Sequence, residues 1–327
     1  CSENPMDGCK ITFTDGEKTI IFLFDPCAGG VLMNFANYNK LLRNCVVKKE
    51  FSIAAIKMSR EFTIPNTVTS IGENAFWGCT NLENIVIPDS VTSIGEGAFR
   101  NCTDLKKITL TDSVTSIGEW AFSNCRSLTT INIPNSVTSI GESAFYGCES
   151  LDNVVIPDSV MNIGERAFEY CLGLTKINIP KSITSIENNA FACCENLTEV
   201  KIPDSVTSIG EGAFRSCGSL TNVSIPKFVT SIGKSAFENC QGLTEIDIPD
   251  SVTNIEKYTF NNCQGLTKIN IPNSVTSIGE NAFWGCTNLD NVVIPASVTS
   301  IENGAFRDCK NLRSISILGS VNSTGDG

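Results

Sequence analysis

The stretch "SIGENAFWGCTNLENIVIP" occupies residues 70–88, and "SIGENAFWGCTNLDNVVIP" occupies residues 277–295. The two stretches differ at two of nineteen positions and lie 207 residues apart. Aligned with itself, the sequence shows a Phe every 23 residues from Phe76 to Phe306, with a Cys three residues after each Phe and a Leu three residues after each Cys. A fixed period of this length is typical of a solenoid, in which structural repeats stack on one another.

The repeat reads I-P-x-S-V-T-S-I-G-E-x-A-F-x-x-C-x-x-L-x-x-I-x. Its L-x-x-I-x-I part predicts a short strand with alternating inward and outward side chains, and the following Pro ends that strand because it lacks an N–H. The S-V-T-S-I-G part predicts a second short strand, with Val91 and Ile94 directed inward. We expect the segment E-G-A-F-R-N-C, residues 96–102, to form one helical or 3₁₀ turn that buries Ala98 and Phe99.

The motif I-P-x-S-V-T-S-I-G-x-x-A-F-x-x-C-x-x-L resembles the BspA-type leucine-rich repeats of surface antigens from bacteria and some protists. The resemblance covers about residues 61–327 in eleven copies of 23 residues. It implies a leucine-rich repeat solenoid that is β-rich with α/β character, right-handed, and lined by a parallel concave sheet. It also implies a secreted or surface-attached protein that serves adhesion or partner binding. It transfers no catalytic residue, because the motif is structural.

Residues 1–60 lie outside the repeat register and are predicted to form an N-terminal cap, which a solenoid needs to cover its first turn. Asp15-Gly16 between two β-prone runs predicts a hairpin, and "NFANYNKLLRNC", residues 34–45, predicts a short helix. "CVVKKEFSI", residues 45–53, retains a faded version of the repeat spacing from Cys to Ile. The array itself, residues 61–327, ends in an incomplete repeat.

The incomplete last repeat, "ILGSVNSTGDG" at residues 317–327, stops before its Phe. One expectation is that this edge is continued by further repeats or is covered by another subunit in head-to-tail association. The alternative is that the faded motif is itself a polar cap.

The cysteines divide into two groups. The eleven in register with the repeat, together with Cys193, are expected to be buried free thiols, and those in register close the turn beside each Phe. Cys1, Cys9, Cys27 and Cys45 lie in the cap and predict two disulfides. We interpret the start at Cys1 as the result of signal-peptide removal or of trimming, and a lipid-modified lipoprotein start at Cys1 is the alternative to a disulfide there.

Charge and composition exclude several classes of function. The net charge is −11 at a sequence pI of about 4.7, which argues against nucleic acids and anionic lipid surfaces as partners. No apolar run approaches the length of a membrane span. The chain has no histidine, so Ser–His and Cys–His nucleophile pairs, His bases and His metal ligands do not arise. We therefore predict no enzymatic activity, no cofactor and no metal, and interpret the recurring Glu as a solubilising edge rather than a Ca²⁺ site.

Two surfaces are candidates for binding a partner. Related solenoids bind on the concave sheet, and the charged outward positions there are Lys107, Lys176, Glu199, Lys201, Glu245, Asp247 and Lys268. Aromatic side chains at the residue after the repeat Phe are expected on the convex side and partly exposed; these are Trp77, Tyr146 and Trp284. The alternatives are a merely solvated sheet face, and rings that lie over the neighbouring turn.

These observations favour an extracellular or cell-surface scaffold that is not an enzyme and binds a protein or glycan on a cell surface or matrix. The alternative is a self-associating subunit of an extracellular filament or surface layer. A more distant alternative is ice or mineral binding by the Ser and Thr columns, such as Ser90 and Thr92. In a eukaryotic secretory pathway, the N-x-S/T sequences mark glycosylation candidates at Asn101, Asn196, Asn222 and Asn322.

Overall fold

The computed structural model of the chain describes residues 9–15, 18–24, 45–47, 60–64, 66 and 68–324. The chain divides into two compact units, which we call unit 1 (residues 1–151) and unit 2 (residues 152–327). Each unit contains a parallel β-solenoid that advances by one turn every 23 residues. Each turn carries one strand of a main sheet, which follows the repeat Leu, and one strand of a second sheet, which precedes the repeat Phe.

The repeat array of unit 1 contributes four strands to each sheet. The main-sheet strands are β4 (Glu61–Thr63), β6 (Asn84–Val86), β8 (Lys107–Thr109) and β10 (Thr130–Asn132). The second-sheet strands are β5 (Val68–Ile71), β7 (Ser93–Ile94), β9 (Ser116–Ile117) and β11 (Ser139–Ile140). Equivalent residues of successive turns pair with each other, as Lys107 does with Thr130. This in-register pairing produces columns of equivalent side chains.

Unit 2 repeats the same arrangement. Its main-sheet strands are β12 (Asn153–Val155), β14 (Lys176–Asn178), β16 (Glu199–Lys201), β18 (Asn222–Ser224), β20 (Glu245–Asp247), β22 (Lys268–Asn270), β24 (Asn291–Ile294) and β26 (Ser314–Ile317). Its second-sheet strands are β13 (Asn162–Ile163), β15 (Ser185–Ile186), β17 (Ser208–Ile209), β19 (Ser231–Ile232), β21 (Asn254–Ile255), β23 (Ser277–Ile278), β25 (Ser300–Ile301) and β27 (Ser323–Thr324). In its last turn, Ile315, Ile317 and Leu318 are 42%, 47% and 65% exposed.

Three strands precede the array. Strands β1 (Cys9–Asp15) and β2 (Lys18–Phe24) pair antiparallel, and β3 (Cys45–Val47) pairs antiparallel with β1 and parallel with β5. Cys45–Val47 therefore continues the second sheet, with Cys45 beside Val68 and not at the position of a repeat Cys. The interpretation of residues 45–53 as a faded copy of the spacing from the repeat Cys to the main-sheet Ile is wrong. Register along a sheet depends on backbone pairing, which the Cys spacing does not encode. Residues 34–44 of the expected helix lie outside the described residues, and the cap boundary stays a prediction.

The segment around each repeat Phe is not helical, contrary to the expectation from sequence. In every turn, the residues two before and two after the Phe have positive φ, as Gly97 (56°) and Asn101 (60°) do around Phe99. A helix needs right-handed angles at consecutive residues, so left-handed residues this close together prevent one. Among the described residues there is no helix, and the α/β character is minor. We call the surface formed by these segments the turn face.

Hydrogen bonds between turns replace those of a helix. The Phe99 N–H donates to the Ala121 carbonyl of the next turn at 2.7 Å, and the Gly97 N–H donates to the Glu119 carbonyl at 2.8 Å. The Ala98 N–H instead closes its own turn by donating to the Gly95 carbonyl. Alternate N–H groups thus point along the stack, so neighbouring turns are hydrogen-bonded through the turn face as well as through the sheets. In unit 2 the strand pairing is interrupted between β13 and β15, β18 and β20, β19 and β21, and β22 and β24, whereas the turn face continues past these steps.

A column of stacked phenylalanines forms the core of each unit. Successive ring centroids are 5.0–5.4 Å apart in unit 1 and 5.1–5.7 Å apart in unit 2, with ring planes within 11° of parallel. The predicted inward residues Val91, Ile94, Ala98 and Phe99 are buried, which confirms the repeat register.

The cysteine column lies beside the phenylalanines. The Cys102 thiol donates to the Phe76 carbonyl of the preceding turn at 3.1 Å, and Cys217 donates to the Phe191 carbonyl at 3.2 Å. All twelve described cysteine side chains are free thiols, as predicted. The side chains of the cap cysteines lie outside the described residues, so the predicted disulfides have no support from the structure; these residues are Cys1, Cys9, Cys27 and Cys45.

At several left-handed positions an Asn in one turn is followed by a Gly in the next turn. Gly97 follows Asn74, and Gly212 follows Asn189, one turn later. A Cβ at either glycine would collide with the Oδ1 atom of the preceding Asn. Each glycine therefore supplies both the backbone conformation and the space that the asparagine side chain occupies.

The phenylalanine column provides a test of the core. Phe191→Ala is expected to lower the free energy of unfolding by about 3–5 kcal/mol, because it leaves a cavity between rings that stack at 5.6 Å on both sides. Trp77→Ala is the control and is expected to cost far less, since Trp77 is 44% exposed. Urea unfolding followed by circular dichroism measures both, and equal losses would contradict the assignment of inward and outward positions.

The Asn–Gly pairs provide a test of the turn face. Gly212→Ala is expected to cost more than about 1 kcal/mol, because it places a Cβ at a φ of 61° and against Asn189. Gly218→Ala, six residues later in the same repeat, is the control, because a Cβ there meets no atom within 4 Å. We expect Gly218→Ala to change the free energy of unfolding by no more than about 0.5 kcal/mol. Adding Asn189→Ala to Gly212→Ala should recover part of the lost free energy of unfolding, because it removes the side chain with which the new Cβ collides. If the double variant recovers nothing, backbone strain alone explains the effect of Gly212→Ala.

Candidate functional site

The exposed face of the main sheet has the regular geometry that the sequence predicts. Each three-residue strand buries its middle residue and exposes the first and third, as in β14 and β16. The predicted outward residues are all exposed, namely Lys107, Lys176, Glu199, Lys201, Glu245, Asp247 and Lys268. Lys107 belongs to unit 1, and the other six belong to unit 2.

The charged residues of this face in unit 2 lie beside opposite charges without pairing. Lys176 is in register with Glu199, and Glu245 with Lys268. Within the described part of the chain, none of these side chains forms an ion pair or hydrogen bond. Charges elsewhere do pair between turns, as Lys106 does with Glu83 at 2.8 Å. The sheet face therefore presents charges that the fold itself does not use.

Two shallow depressions lie on the main-sheet side of unit 2. One, of about 530 Å³, is lined by Lys176, Glu199, Lys201 and Asn222. The other, of about 810 Å³, is lined by Asp247, Lys268, Asn270, Asn291 and Val293. Both are polar and open, so they suit surface recognition better than enclosure of a small molecule.

The turn face carries the predicted aromatic residues. Trp77 and Trp284 are 44% and 39% exposed, and Tyr146 is half-buried. The two tryptophans occupy nearly identical repeats but differ in their contacts, because the Trp284 Nε1–H donates to Asp308 at 2.9 Å and Trp77 has no such partner among the described residues. The expectation of partly exposed rings on this face is confirmed.

The sequence interpretation missed Trp120. The Arg100 guanidinium lies over its ring, 4.6 Å from the centroid, and the ring lies 6.0 Å from that of Tyr146. We call Trp77, Arg100, Trp120 and Tyr146 the aromatic strip. Trp120 stands two residues before a repeat Phe, where the other turns of unit 1 have Asn, Gly or Ser. That departure from small residues was a signal in the sequence.

A buried carboxylate on the turn face of unit 2 was also missed. Glu169 is only 5% exposed, and its oxygens lie 3.6 Å from Arg166 Nε and 3.5 Å from Arg215 Nη2. Burial raises the pKa of Glu169, and the two guanidinium groups oppose that rise. These ion pairs connect the turn that contains Phe168 with the turn that contains Phe214 in the same unit. Glu169 therefore has a structural role.

The hydroxyl columns are engaged with the backbone. The Thr92 hydroxyl donates to the Thr69 carbonyl at 3.2 Å, and Thr115 donates to the Thr92 carbonyl at 3.1 Å. Ser90 donates to the Val68 carbonyl at 2.6 Å. Because these protons are directed at the preceding turn, the columns serve the stacking of the repeats. This weakens the argument for an ordered array of free hydroxyls that binds ice or mineral.

The repeat thiols are unsuited to nucleophilic chemistry. Burial raises the pKa of Cys240 to about 12 and that of Cys309 to about 11. A thiol with such a pKa is protonated at neutral pH, and the thiolate is the nucleophile and metal ligand. The described residues include no group of three His, Cys, Asp or Glu side chains placed to hold a metal ion. Among the described residues, there is no helix that is long and apolar enough to cross a membrane.

The glycosylation candidates differ in exposure. Asn196, Asn222 and Asn322 are exposed, and Asn222 lies on the main-sheet face. Asn101 is half-buried, and its Oδ1 accepts a hydrogen bond from Asn124 Nδ2 at 3.0 Å. Modification at these positions stays a prediction.

Comparison with protein families matches the chain to the BspA-type leucine-rich repeat region over residues 54–171, 121–244 and 230–327. The chain belongs to the BspA-type leucine-rich repeat family. A leucine-rich repeat protein from Bacteroides ovatus is 27% identical, with a TM-score of 0.64 over 99% of this chain and 90% of that one. Another from Eubacterium ventriosum is 25% identical, with a TM-score of 0.57 over 86% and 87% of the two chains. No curated relative matches.

The fold extends to a more distant structure. The pneumococcal vaccine antigen PcpA is 21% identical and has a TM-score of 0.50, over 82% of this chain and 65% of that one. Proteins of the BspA-type family are in general surface or adhesion-type scaffolds without enzymatic activity. This BspA-type protein shares their repeat, and its charged sheet face and aromatic strip are features of its own sequence.

The buried thiols predict a loss of stability in alkali. The pKa of a repeat thiol is raised on folding, so its contribution is complete below the unfolded pKa of about 8.5 and is lost as the pH rises above it toward the folded pKa. Each thiol is expected to reduce the free energy of unfolding by up to about 1.4 kcal/mol per pH unit in that window. Urea unfolding under reducing conditions at pH 7, 9 and 10 measures the slope.

Cys240→Ala provides the control for this pH dependence. The variant lacks one thiol whose folded pKa is about 12. Its free energy of unfolding should therefore fall less steeply between pH 9 and 10, by the contribution of about one proton. A free energy of unfolding that does not change between pH 8 and 10 would contradict buried, protonated thiols.

Proposed function

We propose that the protein is an extracellular, non-enzymatic adhesion scaffold that binds a protein or glycan partner on the main-sheet face of unit 2. The observation that carries the proposal is the set of unpaired charges on that face, defined by Lys176, Glu199, Lys201, Glu245, Asp247 and Lys268. Membership of a family of surface scaffolds supports the general class.

The backbone holds these charges in fixed relative positions. Strands β14 and β16 pair in exact register, as do β20 and β22, so equivalent Cα atoms lie about 4.8 Å apart. A partner with complementary charges at that spacing would meet a surface that needs little reorganisation, which lowers the entropic cost of binding. Electrostatic complementarity of this kind speeds association and fixes orientation, and salt weakens it.

A double charge reversal tests the proposal. Lys176→Glu with Lys268→Glu reverses two of the three lysines of the face, whereas Lys234→Glu with Lys310→Glu makes the same change in net charge at exposed positions elsewhere in unit 2. Binding of the full chain is measured against immobilised extracellular-matrix proteins and a glycan array. We expect binding to at least one probe, a tenfold or greater loss in the first variant, and little change in the second.

Two results would overturn this assignment. Equal loss of binding in both double variants would show an effect of net charge alone, and unchanged binding in the sheet-face variant would place the partner elsewhere. Circular dichroism of each variant verifies that the fold is retained. Sedimentation of the same samples over a range of concentrations addresses the alternative of a self-associating filament subunit, which a strict monomer would contradict.

A further inference from the structure

The aromatic strip of unit 1 contains a residue that the backbone disfavours. Trp120 has a φ of 55°, in the left-handed region where the other turns of unit 1 place Asn74, Gly97 and Ser143 at the same repeat position. A bulky side chain in that region is rare, because the backbone conformation is strained. The Trp120 ring is only half-buried and lies outside the phenylalanine core. Arg166 and Tyr258 occupy the same repeat position in unit 2, so what distinguishes Trp120 is its contact with Arg100 and Tyr146.

Arg100 is not neutralised, although the chain carries a net charge of −11. Arg126, in the same unit, pairs with Glu149 at 3.4 Å, whereas Arg100 forms no ion pair with any described residue. Its guanidinium instead lies over the Trp120 ring, with Cζ 4.6 Å from the ring centroid. Stacking on an aromatic face leaves the edge of the guanidinium able to bind an anion, which it does through two parallel hydrogen bonds.

Three buried polar atoms of the turns that carry the strip lack hydrogen-bond partners. Arg100 Nε, Ser123 Oγ and Ser143 Oγ are three of the four such side-chain atoms in the described part of unit 1, and the two serines are fully buried. Ser123 and Trp120 share one hydrogen-bonded turn, as do Ser143 and Tyr146, because Ser123 N–H donates to Trp120 and Tyr146 N–H donates to Ser143.

This combination has the chemistry of a sugar-binding surface. A pyranose ring has one face of C–H groups, which packs on an aromatic ring, and a rim of hydroxyls, which bonds to neighbouring polar groups. Trp77 supplies an exposed ring, and Trp120 and Tyr146 supply two more that are half-buried. The strip extends over three steps of the stack, roughly 14 Å at about 4.8 Å per step. That length matches an oligosaccharide rather than a single sugar.

We propose that the aromatic strip of unit 1 binds an acidic oligosaccharide, with the sugar rings on Trp77, Trp120 and Tyr146 and a carboxylate or sulfate group on Arg100. The site lies on the turn face of unit 1 and uses none of the charged residues of the sheet face in unit 2, so it does not depend on the function proposed there. The strip offers one guanidinium for one anionic group, whereas a polyphosphate ligand such as nucleic acid needs many cationic contacts.

The test uses the full chain on an array of matched oligosaccharides that are neutral, carboxylated or sulfated. We expect binding to acidic members, and the preferred acidic group identifies what Arg100 binds. Trp120→Asn should weaken binding at least tenfold without harming the fold, since Asn74 occupies the same position in another turn. Arg100→Gln should reduce the preference for acidic over neutral sugars at least tenfold.

Tyr258→Asn is the matched control, because Tyr258 occupies the equivalent repeat position in unit 2 with a φ of 59°. It is expected to leave glycan binding unchanged, as is Lys176→Glu with Lys268→Glu on the sheet face. Loss of glycan binding in that sheet-face variant would move the ligand to the sheet and overturn the strip while leaving the adhesion function in place.

Three further results would also overturn the strip as a glycan site. They are absence of binding to every acidic oligosaccharide, equal binding of neutral and acidic members, and full binding by Trp120→Asn. Poly-glutamate serves as a protein-like probe. If it competes as strongly as the acidic glycans, the strip recognises acidic protein segments instead.

Discussion

The fold depends on the pair of left-handed residues that flanks the phenylalanine in every turn. Because these residues prevent a helix, alternate N–H groups point along the stack and bond to the next turn, as Phe99 does to Ala121. The turn face is thereby hydrogen-bonded between turns like the two sheets, and the phenylalanine rings are held face to face inside it. The cysteine thiols add a bond to the Phe carbonyl of the preceding turn.

The same constraint helps to distinguish residues that maintain the turns from residues that are candidates for binding a partner. Gly, Asn and Ser satisfy the left-handed positions at low cost, and the Asn–Gly succession fits neighbouring turns together. Trp120 departs from that pattern, as Arg166 and Tyr258 do, and it lies next to Arg100, which forms no ion pair with any described residue. On the main sheet, regular pairing leaves charges such as Lys176 and Glu199 adjacent but unpaired. These are the two surfaces on which we propose that partners bind.

Part of this could be read from the sequence because the repeat amplifies weak local signals. Eleven copies make the period, the inward positions and the short strands unambiguous, and buried residues such as Val91 and Phe99 follow directly. The turn was misjudged as helical because a short segment with Ala and Phe gives no measure of φ, and Asn or Gly near it is equally compatible with a loop. The role of Cys45–Val47 was misjudged because the distance from a Cys to an Ile in the sequence does not determine which strands pair, and these residues pair with β5 of the second sheet.

The sequence by itself determined the solenoid, its 23-residue turn, the phenylalanine and cysteine columns and the absence of histidine chemistry. These follow from periodicity and composition, which are properties of the chain read one residue after another. Only the tertiary structure decided which charges pair, that Arg100 lies over Trp120, and that Glu169 is buried between two arginines. Such contacts join residues one or two turns apart, and their geometry depends on how side chains of different size share the space between stacked turns.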